Sequence, residues 1–253
     1  MIIIQLNYKI FSILFILIFI SSHQTLLAEK AYFDISDQEI QIQTNFNGKE
    51  VIIFGLTNPN LDTVLIIKGP KRDAKLSMKE RFFGFWIKAK KIIYKDMPSI
   101  FFIASSSPIE KILNNDTITK KQLTFETIFT NMITKRNFIN QSNLSFWRDN
   151  LIRIQKNKKL YNVFNLKIVD EKLFQSRIFF PSNTLPGNYS VNIFQIKDNK
   201  IVSERKKSII IKKTGIGNTI YKFAHDQPMT YGILSILFAI IAGLAAATAF
   251  RRL

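Results

Sequence analysis

The sequence predicts a mainly β protein: an immunoglobulin-like β-sandwich with a helical insertion, followed by one C-terminal transmembrane helix. Three observations predict it. Short apolar runs alternating with polar residues recur between turn signals across residues 32–106 and again after Val163. Between them, from about residue 117 to 160, apolar residues recur at helical spacing. The chain then closes on nineteen uncharged residues, 232–250, opened by Tyr231 and ended by Arg251-Arg252.

In chain order, residues 1–28 read as a signal peptide. Lys9 is their only charged residue, and residues 10–20 are apolar except for Ser12. Such a stretch is too short to span about 30 Å of hydrocarbon but fits the core of a secretory signal. Ala28 offers a small residue before Glu29, while Leu26 departs from the small-residue cleavage pattern. An uncleaved anchor over residues 2–20 is the alternative.

Residues 29–224 form the exported part. Ile40, Ile42, Thr44 and Phe46 alternate with polar neighbours, and the runs 51–54 and 64–67 follow, with Asn47-Gly48, Asn58-Pro59-Asn60 and Gly69-Pro70 as turns. Ala74, Leu76 and Met78 alternate again, then Phe85, Ile87 and Ala89, before the runs 92–94 and 100–104. Over 117–160, Phe125, Ile128, Phe129, Met132 and Ile133 predict one amphipathic helix. Trp147, Leu151 and Ile154 predict a second, capped by Ser142 or Asn143. Strands resume with Tyr189, Val191 and Ile193 after Pro186-Gly187, a turn at Asp198-Asn199 and a closing strand over 208–212. Tyr189 stands where a sandwich places a tyrosine corner. The helical stretch either decorates one sandwich or separates two domains.

Residues 229–250 are the transmembrane helix; 232–250 alone reach about 28 Å at 1.5 Å per residue. The arginine pair belongs on the cytoplasmic side, so residues 251–253 form a cytoplasmic tail and the bulk lies on the far side. Ser235, Ala239, Gly243 and Ala247 recur at four-residue steps, a small-residue stripe that lets a second helix approach closely.

Composition narrows the function. The chain has 253 residues, 47% of them hydrophobic with 23 Phe, enough for a packed core without staples. With no cysteine there is no disulfide, thiolate nucleophile or Cys-based zinc site. The net charge of +18 accompanies a joint abundance of Lys, Ile, Asn and Phe that AT-rich coding produces. The basic runs are short and interrupted, so nucleic acid is not the expected partner.

Catalytic patterns are wanting. Once residues 1–28 are removed, His225 is the only histidine left, which excludes a His triad or multi-His metal site within one chain. Ser105-Ser106-Ser107 would need a buried lysine to act as a Ser-Lys dyad, and a strand end explains them better. Asp34, Asp37 and Glu39 lack the spacing of a calcium loop and read as a solvated turn. Gly69-Pro70-Lys71-Arg72 is the one corner suited to an anion, with Lys71 and Arg72 as the candidate ligands, though a hairpin turn accounts for it equally. Trp86 is expected in the core.

Phe54-Gly55, Lys68-Gly69-Pro70-Lys71-Arg72-Asp73, Gly84-Phe85-Trp86-Ile87, Pro98-Ser99 and residues 104–108 together carry a family resemblance. So do Leu173-Phe174, Pro181-Ser182-Asn183, Pro186-Gly187-Asn188-Tyr189, Tyr231-Gly232 and Phe250-Arg251-Arg252. The chain resembles the alphaproteobacterial putative transmembrane protein family. The resemblance implies a single-pass protein of the bacterial inner membrane with a periplasmic domain, and an association with permeases of the sulfite-exporter type. It brings no activity and no cofactor.

The expected function is therefore a non-enzymatic accessory whose helix, through Ser235, Ala239, Gly243 and Ala247, packs on another membrane protein such as a permease or on a copy of itself. Its alternatives are a periplasmic module binding an anionic ligand at Lys71 and Arg72, or a hydrolase using carboxylates.

Overall fold

The computed structural model describes residues 32–130, 132, 134–137 and 144–251. The expected signal peptide, Ile133, the cap at Ser142 or Asn143 and residues 252–253 lie outside them.

The strands are β1 (Phe33–Ile35), β2 (Glu39–Ile42), β3 (Gly48–Leu56), β4 (Asp62–Lys68), β5 (Lys71–Phe82), β6 (Phe85–Pro98) and β7 (Phe101–Ser105). Helices α1 (Ile109–Ile112) and α2 (Asn115–Lys121), a 3-10 turn (Thr127–Phe129), β8 (Thr134–Arg136) and α3 (Leu144–Asn157) come next. Then follow β9 (Tyr161–Val169), β10 (Leu173–Pro181), β11 (Gly187–Lys197), β12 (Lys200–Lys213), α4 (Ile216–Asp226) and α5 (Pro228–Phe250).

The mainly β class and the C-terminal apolar helix are as expected. Nine strands form one curled sheet in the order β1-β3-β10-β9-β7-β4-β11-β12-β2. Within it β1-β3-β10-β9 and β4-β11-β12 have the adjacency of the A-B-E-D and C-F-G strands of an immunoglobulin sandwich. The halves are not separate sheets, however, because the parallel pair β7–β9 joins them; β12–β2 is the other parallel pair. A second sheet, β5-β6-β8, lies apart from the first.

Packing explains the curl. Val51, Ile53, Phe174 and Ile178 of one half meet Leu65, Ile67, Val191 and Ile209 of the other in one apolar core. The opposite face of β4, β7 and β11 gives Val64, Ile66, Phe101, Ile103 and Phe194 to a second core, closed by Leu76, Ile92 and Tyr94 of the small sheet and by Ile118, Trp147 and Leu151 of the helices. β4 is buried on both faces, which is why residues 64–67 form an unbroken apolar run rather than an alternating one. Each such side chain contributes about 1.5–3 kcal/mol on burial. The Tyr189 hydroxyl donates to the Leu185 carbonyl at 2.6 Å, the bond expected of a tyrosine corner.

Three local expectations need correction. Phe125 and Ile128 are buried, yet the described residues 125–130 form a 3-10 turn and loop rather than an amphipathic helix. Gln122 ends α2 in a left-handed conformation. The Thr127 hydroxyl then bonds the Thr124 carbonyl at 3.0 Å, giving the backbone an alternative to the helical ladder. The second helix exists as α3, with Trp147 and Leu151 buried and Ile154 turned outward. Gly69-Pro70 is not a hairpin tip but the passage from the nine-stranded sheet to the second one. Trp86 is 68% exposed, because among the described residues nothing packs over that end of β5 and β6.

Candidate functional site

Lys68 ends β4 and Lys71 begins β5, so the passage between two sheets sets basic side chains around one cleft. Its volume is about 360 Å³, and Lys68, Lys71, Lys95, Asp96, Gln122 and Ser190 line it with the apolar Ile128 and Met132. A glycine is required at position 69: a Cβ there would come within 2.5 Å of the Ser99 hydroxyl and 2.8 Å of the Tyr189 ring. The close approach expected to admit an anion is thus taken by the fold itself.

Lys71 lines this cleft and Arg72 does not. As consecutive residues of a strand, paired with Pro98 and Met97, they present side chains to opposite faces. The structure therefore does not bring the two expected anion ligands together. Lys68 takes Arg72's place. Its ammonium donates to Gln122 Oε1 at 3.2 Å and lies 5.4 Å from the centre of the Phe101 ring. Burial lowers its pKa from the usual lysine value to about 8. Lys95 is neutralised by Asp73 at 2.5 Å. In the sequence Lys68 is a lysine closing an apolar run and the first residue of the Lys68–Asp73 stretch, and neither feature marks it as a cleft residue.

The other candidates resolve individually. Asp34, Asp37 and Glu39 pair with Lys207 at 2.7 Å, Lys49 at 2.6 Å and Lys212 at 2.9 Å. The hydrogen-bonding lysines hold the Asp34 and Asp37 carboxyls below their ordinary range, the opposite of what a general acid needs. Ser106 and Ser107 donate to Asp62 Oδ1 at 2.8 and 2.6 Å, so their hydroxyls serve a carboxylate and not a lysine. They border a second cleft of about 390 Å³ with Phe125 and Glu126. Among the described residues no group of three or more His, Asp or Glu side chains could hold a metal ion.

At the C-terminus, α4 and α5 meet at Gln227-Pro228, Pro228 occupying the first turn of α5, where a proline fits. Phe223 packs edge-on against Tyr231 at 5.8 Å, and Tyr221 stacks on His225 at 4.0 Å. These aromatics collect where α5 begins, the chemistry of a membrane–water boundary. α5 has 23 residues, none of them buried. Ser235, Ala239, Gly243 and Ala247 share one side of it, and a Cβ added at Gly243 would meet nothing. Leu237, Phe238, Ile240 and Ile241 are exposed as well. Length and composition make α5 a membrane-spanning helix with a lipid bilayer as its surroundings.

No curated protein and no solved structure matches the chain. One family profile does, that of the Putative transmembrane protein (Alph_Pro_TM), over residues 31–252. An apolar helix uncovered along its whole length, on a chain matched almost from end to end, is what that description requires, and the chain belongs to this transmembrane family.

Proposed function

We propose that the protein is a non-enzymatic, membrane-anchored accessory that acts by contact. α5 holds the β-rich domain in the periplasm, at the bacterial inner membrane, and the face of Ser235, Ala239, Gly243 and Ala247 packs against a helix of another membrane protein. A permease is the partner class that the family resemblance suggests, and a second copy of the chain is the other candidate. The observation that carries the reading is α5 itself, uncovered throughout and small along one side. Without a hydrophobic drive between helices in lipid, close backbone approach at small residues is what favours association. The carboxylates tied up by lysines accord with action by contact rather than by acid–base chemistry.

The test exploits a sequence without cysteine. Gly243→Cys introduces the only thiol, and crosslinking in native membranes should trap a second polypeptide that mass spectrometry identifies. Gly243→Leu should abolish co-purification of that polypeptide. Recovery of monomer alone, with Gly243→Leu behaving as wild type, contradicts the proposal.

A second reading, an anion-binding module, is favoured by Lys68: a lysine half-buried beside Lys71 that donates its hydrogen bond to an amide oxygen rather than to a carboxylate. Phosphate or sulfate should raise the melting temperature at pH 7, less so above pH 8 where Lys68 loses its charge. Lys68→Met should remove the effect.

A further inference from the structure

β5 and β6 run on past the strand that supports them. β8 pairs with β6 only at residues 92–94, and the Asn137 side chain extends that support to Lys91 and Ala89. Beyond the Leu76–Ile92 pair, six further cross-strand pairs ending at Phe82–Phe85 form a ribbon that no third strand joins among the described residues. At the rise of a strand it is about 20 Å long. Its tip is apolar and open: Phe82 is 59% exposed, Phe83 87%, Phe85 76% and Trp86 68%. Along residues 77–91 stand five basic side chains, Lys79, Arg81, Lys88, Lys90 and Lys91, and one acid, Glu80.

Two features of this ribbon oppose folding. Phe83 and Gly84 both have positive φ, 46° and 84°. A two-residue turn of that kind selects Asn, Asp or Gly at its first position, and a bulky aromatic there is strained. Lys79 and Lys88 stand directly opposite each other, a like-charge pair that weakens a hairpin. A sequence chosen for folding alone would contain neither, and departures of this sort mark functional positions. Both are rewarded by a surface that is apolar in depth and anionic at its edge.

We propose that the tip is a membrane-docking finger, inserting Phe82, Phe83, Phe85 and Trp86 into the headgroup region of the bilayer that α5 spans while Lys79, Arg81 and Lys88 meet anionic lipid phosphates. Aromatic rings flanked by cations suit that layer. Phe82, Phe85 and Ile87 lie on one face of the ribbon and Trp86 on the other. A protein groove receives one face, whereas a fluid layer accepts both. The anchor on the same chain keeps the bilayer at high effective concentration. The inference rests on α5 as a span and not on a helical partner.

Trp86 reports directly, because Trp147, the other tryptophan, is 3% exposed and Trp147→Phe silences it. The full chain carrying that substitution is reconstituted in phosphatidylcholine vesicles with and without phosphatidylglycerol. Nitroxide-labelled lipids should quench Trp86 severalfold more strongly with phosphatidylglycerol, and high salt should weaken the quenching. Phe83→Asn, a better turn residue, should keep the fold and lose most of the quenching; Lys79→Ser with Lys88→Ser should lose the phosphatidylglycerol dependence. Gly243→Leu should change neither. Trp86 left open to aqueous iodide and untouched by nitroxide lipid in both vesicles overturns the proposal. So does Trp86 shielded in native membranes but open in both vesicles, which would assign the finger to a protein.

Discussion

Lys68 shows how one residue joins fold and candidate function. Folding places it at the end of a strand buried on both faces, beneath Gln122 at the end of α2, where its charge is poorly solvated. Lys68→Met should therefore raise stability at pH 7 by about 1–2 kcal/mol, after discounting for the water that still reaches the amine. The sign follows from the lowered pKa. Between about pH 8 and the ordinary lysine value of 10.5 the unfolded chain holds this proton more tightly, so wild-type stability gains on the variant as pH rises through that window. Urea unfolding of both proteins at pH 7 and pH 10 measures the difference. Gly69→Ala works the other way: the new Cβ presses on Ser99 and Tyr189, and overpacking of this kind costs about 1–3 kcal/mol, read as a lower unfolding midpoint. The glycine was recognisable as a site of close approach, but not what it approaches. Lys68 was missed because nothing in residues 64–68 reveals that α2 returns over them fifty residues later.

Among the elements, regular alternation was the most legible signal. The turn at Asp198-Asn199, both with positive φ, and the strand before it stand where their pattern put them, while β12 begins at Lys200, well ahead of the expected closing strand over 208–212. Periodicity failed where side chains compete with the backbone, as Thr124 and Thr127 do. There, buried residues at helical spacing belong to a 3-10 turn and loop pressed into a core. It failed also at β5–β6, whose aromatic run resembles a core strand although its covering layer stops short. Phe83→Asn should raise the stability of the whole protein by roughly 1 kcal/mol by relieving the positive-φ strain. Thermal unfolding measures this, and a loss of stability would show that the tip contributes packing to the fold.

For the molecule as a whole, the chain divides its tasks. Among the described residues both apolar cores draw on positions between Phe33 and Ile211, and α5 contributes nothing to either. A fragment of residues 29–214 should consequently fold in water with strand-rich circular dichroism and cooperative melting. An aggregated or unfolded fragment would mean that α4 and α5 are needed for the fold. Strand content and the membrane helix were legible at this scale; the joining of the two sheet halves was not. It depends on the parallel pair β7–β9, whose partners lie far apart in sequence and leave no local trace. The central claim, that α5 is a contact surface and not only a tether, is tested most directly by moving a single cysteine through residues 234–249 and measuring crosslinking in native membranes. Maxima are expected at positions 235, 239, 243 and 247, with minima at 237 and 241. A flat profile, or maxima on the face of Leu237 and Ile241, would contradict it.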